Sequence, residues 1–287
     1  MGYLIQEVGS GSAEDETRLV LIVGHSSRKE EWAPLVDVLL TQWERGYPDK
    51  TLKVLTFDNR GVGDSDAPWG KYSTSGMTLD TLALLDTIGW NTVHIAGASL
   101  GGMIAQEITL AAPNRVQSLS LVATSSGSFI PDASAYSSIF TTIVSSDPTK
   151  VTNAILSFLY PEPFLASKNG ENETMRDVLY KYHKKMVTTL GAPSSSGAFG
   201  QSSAAMFHSV SNKKLHKIRD QGFRILIIAA KLDKCFGFSH GLHLKKELAS
   251  DHTEFVVYED AGHGCLLQCL DDIAGKLLET MQSTGAP

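Results

Sequence analysis

Cysteine is scarce in this chain: Cys235, Cys265 and Cys269 are the only three in 287 residues, an odd number with no C-x-x-C pair. That excludes a disulfide framework, and His263 with Cys265 lacks the further ligands that a tetrahedral metal site needs. Buried, inert thiols and no metal are expected. No apolar run approaches the ~20 residues of a membrane span, and the opening MGYLIQEVGSG lacks the basic segment and apolar stretch of a secretory leader. The net charge of −6 comes with no block of like charge, which argues against nucleic-acid binding and polybasic membrane attachment. A cytoplasmic protein without a cofactor, acting on a small molecule, is the expectation. What is present is apolar content of 42%, enough for one α/β domain with an insertion rather than two equal domains.

The chemistry centres on TVHIAGASLGG, Thr92 to Gly102, where a β-type run meets a helical pattern, MIAQEITLA, across Gly97-Ala98-Ser99-Leu100-Gly101. In a turn this tight, a Cβ at Gly97 or Gly101 would strike the neighbouring backbone, and the bend pushes the Ser99 hydroxyl outward. The Leu100 N–H stands at the start of the new helix, where unpaired donors and the macrodipole favour a developing oxyanion. Gly-x-Ser-x-Gly alone is a weak signal. Its placement between strand and helix supplies the context it needs.

Strand-like segments alternate with helical ones along the first half. Tyr3 to Val8, RLVLIVGH, Leu52 to Phe57, the strand before Ser99 and SLSLVAT (Ser118 to Thr124) are apolar runs, with WAPLVDVLLTQW and MTLDTLALLDTIGW as helices between them. Such alternation predicts a parallel sheet covered on both faces. From Gly127 to about Asp220 the pattern becomes helical without a convincing strand, and FRILIIAA and TEFVVYED then resume the sheet before a final helix, CLLQCLDDIAGKLLETM. The expected organisation is a core of residues 1–126 and 221–287 with a helical cap, 127–220, inserted before the acid-bearing strand. Cap aromatics Phe129, Tyr136, Phe140, Phe158, Tyr160, Phe199 and Phe207 suggest an apolar ligand, with Phe199 and His208 as the expected substrate contacts.

A serine hydroxyl needs a base within hydrogen-bond reach, and that base needs an acid to orient it. Two strands after the insertion end in suitable residues, FRILIIAAKLD in Asp233 and TEFVVYEDAGH in His263, giving the order Ser99, Asp233, His263. Asp260 is the competing acid. Most of the other histidines, among them His183, His216 and His252, are expected to be solvated. The second oxyanion donor is expected from the turn after an earlier strand, the backbone N–H of His25 following Gly24.

FDNRGVGDSD, GASLGG, AAKLD and EDAGHG, in this order, resemble the α/β-hydrolase superfamily in its capped, single-domain branch of esterases and lactonases. The resemblance covers nearly the whole chain and implies the α/β-hydrolase fold, with acyl transfer to water through a Ser99 acyl-enzyme, His263 as base then acid, and Asp233 holding its tautomer. It implies a carboxylic ester or lactone as substrate. Serine at the elbow argues against branches that use a carboxylate nucleophile, while carbon–carbon cleavage, a lyase reaction and a non-catalytic ligand receptor remain open. Three departures stand out: Val23-Gly24-His25 replaces the usual His-Gly-x turn, no proline follows the acid loop, and at most one strand precedes Arg18.

Overall fold

Strands whose successive residues are all apolar must be covered on both faces, because either face left wet would expose half of them. The computed structural model describes residues 1–12, 15–127, 133–191 and 194–282, and Phe129 lies outside them. Seven strands form one sheet: β1 (Tyr3–Val8), β2 (Glu16–Ile22), β3 (Thr51–Phe57), β4 (Val93–Ala98), β5 (Val116–Val122), β6 (Arg224–Ala230) and β7 (Thr253–Tyr258). Their order is β1-β3-β2-β4-β5-β6-β7. β1 runs antiparallel to β3, and every other neighbouring pair is parallel. One complete strand precedes Arg18, which itself lies within β2.

Helices α2 (Thr74–Thr87), α3 (Leu100–Ala111) and α10 (Phe238–Glu247) cover one face, packing Leu84, Met103, Ile104 and Leu244 into one cluster with Ile95, Leu119 and Ile227. On the other face, α1 (Ala33–Gly46) and α12 (Leu270–Gln282) bring Leu39, Trp43, Ile273 and Leu277 against Leu21, Val54 and Ile228. Each such fully buried aliphatic side chain contributes about 1.5–3 kcal/mol. The chain leaves β2 toward one edge of the sheet and returns to β4 on the opposite side of it. The resulting crevice lies at the C-terminal ends of β2 and β4, where ligands bind in open parallel sheets.

Element ends differ from the sequence reading by a few residues, each for a local reason. α2 starts at Thr74 rather than Met77 because the Ser73 hydroxyl accepts from Gly76 N–H as its N-cap. The last helix is two: α11 (Cys265–Gln268) ends at Cys269, whose φ of −124° leaves the helical region, and α12 follows.

Between β5 and β6 lie α4 (Ala133–Val144), α5 (Pro148–Leu159), α6 (Glu162–Ala166), α7 (Met175–Leu190), α8 (Ser195–Met206) and α9 (Asn212–Arg219), with no strand among the described residues. α5 to α7 share a small core of their own around Leu156, Tyr160, Leu165 and Leu179. α9 instead buries Leu215 and Ile218 in the cluster that holds Ile225 of β6, so it serves the sheet. No helix among the described residues is long and apolar enough to cross a membrane.

His183 departs from the expected solvated position: it is buried, as are His94 and His208, and only His252 among the histidines is exposed. Burial disfavours the imidazolium and lowers each of the three from 6.5 to about 4. Unfolded, these rings take up protons below pH 6.5; folded, they do so only near pH 4. The unfolded state therefore binds more protons in that window, so their contribution is complete above pH 6.5 and is lost as pH falls toward 4. The melting temperature is expected to drop steadily from pH 6.5 to pH 5, before most carboxylates protonate. A flat calorimetric profile over that interval would contradict the burial of these rings.

Candidate active site

β4 ends in two small residues, and the chain reverses into α3 at Ser99, which takes φ 55° and ψ −121°. Glycine alone tolerates the approaches on either side: a Cβ on Gly97 would lie 2.3 Å from Gly101 O, and one on Gly101 would lie 2.0 Å from Ile22 O. A serine at positive φ is strained by about 1–3 kcal/mol and persists only where its surroundings over-determine it. Here Ser99 N–H donates to Val122 O at 3.0 Å, and Ser99 O accepts from Thr124 Oγ1 at 2.6 Å and from the Gly102 N–H. Among the described residues the two other non-glycine residues at positive φ are Ser26, in the turn after β2, and Ala123, directly after β5.

His263, five residues beyond β7, presents Nε2 to Ser99 Oγ at 3.1 Å and Nδ1 to Asp233 Oδ2 at 2.9 Å. Asp233, three residues beyond β6, is held from its other side, where Oδ1 accepts the N–H groups of Cys235 (2.7 Å) and Phe236 (3.1 Å). Both carboxylate oxygens are thus engaged, and both side chains are buried. Phe158 and Phe236 flank the imidazole, with centroids 5.3 and 5.4 Å from its own. Asp260 is exposed and makes no side-chain bond to His263; its carbonyl accepts from Gln268 Nε2.

The turn after β2 lies against the serine, since a Cβ on Gly24 would come 3.3 Å from Ser99 Cβ. Neither the His25 N–H nor the Leu100 N–H has a hydrogen-bond partner among the described residues. The His25 ring is engaged elsewhere, with Nε2 2.9 Å from Ser202 Oγ, and desolvation holds it near pKa 4, neutral. Two side chains fix the turn. Asn59 Nδ2 donates to Val23 O at 3.2 Å; Gln201, fully buried on α8, accepts from Ser26 N–H at 2.7 Å and donates to Arg60 O at 2.9 Å.

The two expected substrate contacts make their own hydrogen-bond and ring contacts with other residues. Phe199 is 50% exposed and stacks on Trp69 at 6.2 Å, while His208 is buried with Nδ1 2.9 Å from Thr74 Oγ1. No hydrogen bond or ring contact joins either side chain to Ser99 or His263 among the described residues. Gln201, Thr124 and Phe236 bear on the site without having been singled out for it. Only Gln201 left a trace in sequence, as a polar residue amid the small residues GQSSAA. Among the described residues no group of three or more His, Cys, Asp or Glu could hold a metal ion.

A strained serine at a strand-to-helix elbow, bonded in line to a histidine and a carboxylate at the C-terminal edge of a parallel sheet, defines the class as α/β proteins with an elbow serine. Residues 18–268 match the model of the alpha/beta hydrolase fold family, and the chain belongs to that family. Two curated relatives illustrate the likeness in sequence. A protein of Azorhizobium caulinodans named "Putative carbamate hydrolase RutD" is 32% identical over 106 residues, 37% of each chain. A poly(3-hydroxyalkanoate) depolymerase of Ectopseudomonas oleovorans is 32% identical over 111 residues, 39% of this chain and 36% of that one. The chain thus spans little more than a third of these relatives' length. The enol-lactonase of Burkholderia xenovorans superposes with a TM-score of 0.75 at 17% identity, over 98% of this chain and 96% of that one, a likeness of fold.

Proposed function

We propose that this chain is a serine hydrolase that cleaves a carboxylic ester or lactone of a small, apolar substrate through an acyl-enzyme on Ser99. The observation that carries the reading is the hydrogen-bonded line Ser99 Oγ, His263 Nε2, His263 Nδ1, Asp233 Oδ2, at 3.1 and 2.9 Å, with unpartnered N–H groups of His25 and Leu100 beside it. His263 Nε2 takes the Ser99 proton as Oγ attacks the acyl carbon, and the two N–H groups receive the negative oxygen of the tetrahedral intermediate. His263 then gives that proton to the departing alkoxide, which in a lactone stays tethered to the acyl group. Water then attacks the acyl carbon as the same ring takes its proton, and the ring returns that proton to Ser99 Oγ as it leaves, which releases the carboxylic acid and restores Ser99 and His263. Asp233 keeps the ring's proton on Nδ1 throughout, so Nε2 always begins as the acceptor.

Phe158 and Phe236 beside the imidazole favour an apolar acyl or leaving group, and the helices α4 to α8 act as the cap over this edge of the sheet. The test is a panel of p-nitrophenyl esters of increasing acyl length together with aliphatic and aryl lactones. Multiple turnover of at least one ester or lactone, with preference moved by Phe158→Ala more than by Phe199→Ala, is the expected result. Binding without turnover across the panel would instead indicate a ligand receptor on this fold.

A further inference from the structure

Every α-helix ends in carbonyls that lack intrahelical partners. At the end of α5 the Ser157 and Leu159 carbonyls are taken up by the two loops that carry Asp233 and His263. Lys234 Nζ donates to Ser157 O at 3.1 Å, a cation where the helix dipole favours one, and Gly264 N–H donates to Leu159 O at 2.8 Å. Phe158, between them, faces the His263 ring. The next residue, Tyr160, lies so close to the histidine loop that a Cβ on Gly264 would come 2.6 Å from its ring, and one on Gly262 would come 2.5 Å from Leu159 O. Both neighbours of His263 are therefore glycines pressed against this one turn.

The turn is itself anchored from behind. Tyr160 is 2% exposed, and its hydroxyl is hydrogen-bonded to His183 Nε2 on α7 at 2.9 Å. Leu156, Leu165 and Leu179 complete the small core around it. Anything that shifts the Tyr160 ring must move Gly264, and with it the imidazole. Anything that shifts Ser157 acts on Lys234, the residue after the acid.

We propose that the turn Ser157 to Tyr160, locked by the Tyr160–His183 hydrogen bond, positions Asp233 and His263 relative to Ser99. The helical insertion then sets the geometry of the proton relay as well as covering it. This rests on the serine-hydrolase reading above. Tyr160 and Lys234 are positioning residues: neither touches the reacting atoms, and each acts through the loop it holds.

The test uses the full chain and p-nitrophenyl acetate, with thermal melts to establish that each variant is folded at the assay temperature. Tyr160→Phe keeps the ring against Gly264 and removes only the bond to His183. Misplacement of a relay by a fraction of an ångström lowers turnover with little effect on binding, so kcat is expected to fall about tenfold while KM stays within about twofold. The rate at which a fluorophosphonate labels Ser99 should fall by the same factor, because it depends on the same Ser99 to His263 transfer. Lys234→Met, which removes the other tie from a half-buried position, is expected to lower kcat and labelling in the same way and carries the test if Tyr160→Phe does not fold. Tyr180→Phe, which keeps the half-buried ring against the same small core and removes only a hydroxyl that accepts from Lys184, serves as the control with unchanged kcat. Wild-type kcat and labelling in folded Tyr160→Phe and Lys234→Met, or a loss confined to KM, would overturn the proposal. Ser99→Ala, assayed alongside, separates the two readings. If it abolishes turnover while both positioning variants behave as wild type, only the positioning role fails; if it retains turnover, the hydrolase reading fails and takes this proposal with it.

Discussion

Ser99→Ala is expected to fold normally, to lose fluorophosphonate labelling and to turn over activated esters about 10⁶-fold more slowly, as loss of the nucleophile does in a comparable triad. The fold is spared because the Ser99 hydroxyl makes one hydrogen bond, to His263, while the backbone bonds to Val122, Thr124 and Gly102 do not involve the side chain. Ser99→Gly separates chemistry from strain. It should be equally inactive, yet the φ of 55° that strains serine or alanine is open to glycine. Relief of about 1–3 kcal/mol of strain outweighs the roughly 0.5–1 kcal/mol that glycine loses in chain entropy. Ser99→Gly is therefore expected to melt about 2–4 °C above Ser99→Ala. Retention of activity by either variant would end the reading of Ser99 as nucleophile; equal melting temperatures would end only the account of strain.

The sheet was legible because its strands are continuous apolar runs separated by helical periodicity, and the alternation admits few topologies. β4, β5 and β6 needed no tertiary information. The elbow was legible for a different reason: Gly97 and Gly101 are dictated by contacts one turn away, so the local sequence carries the constraint. Asp233 and His263 could be placed because both follow strands whose C-terminal ends must share an edge of the sheet. What escaped depends on contacts between distant segments. Gln201 joins the turn after β2 to the turn after β3 from 141 residues beyond Arg60, and nothing near it in sequence marks that role. His183 was expected in water because polar neighbours surround it in sequence, yet it finds one hydroxyl partner, Tyr160, across a packed interface. Phe199 was singled out as one of the insertion's aromatics, and its stacking on Trp69, 130 residues earlier, is a contact that no local pattern announces.

Asp233→Asn is expected to cost far more activity than Asp260→Asn, because Asp233 is the carboxylate bonded to His263 Nδ1. In Asp233→Asn the amide cannot choose its orientation freely. The position of Oδ1 faces two N–H donors, from Cys235 and Phe236, so the amide oxygen stays there and the NH₂ takes the place of Oδ2. That NH₂ donates toward Nδ1, which must then be the unprotonated nitrogen, and the ring's proton moves to Nε2. Nε2 faces Ser99 Oγ 3.1 Å away and can no longer accept its proton. Turnover on one activated ester is expected to fall about 10⁴-fold, the cost of the wrong tautomer in an analogous relay, with the fold retained because every heavy-atom contact survives. Asp260 is nearer in sequence but lies on the histidine's own loop, exposed and without a side-chain bond to the ring. Asp260→Asn should change kcat by no more than about twofold, the scale of an ordinary surface substitution. A greater loss at Asp260 than at Asp233 would transfer the orienting role to it.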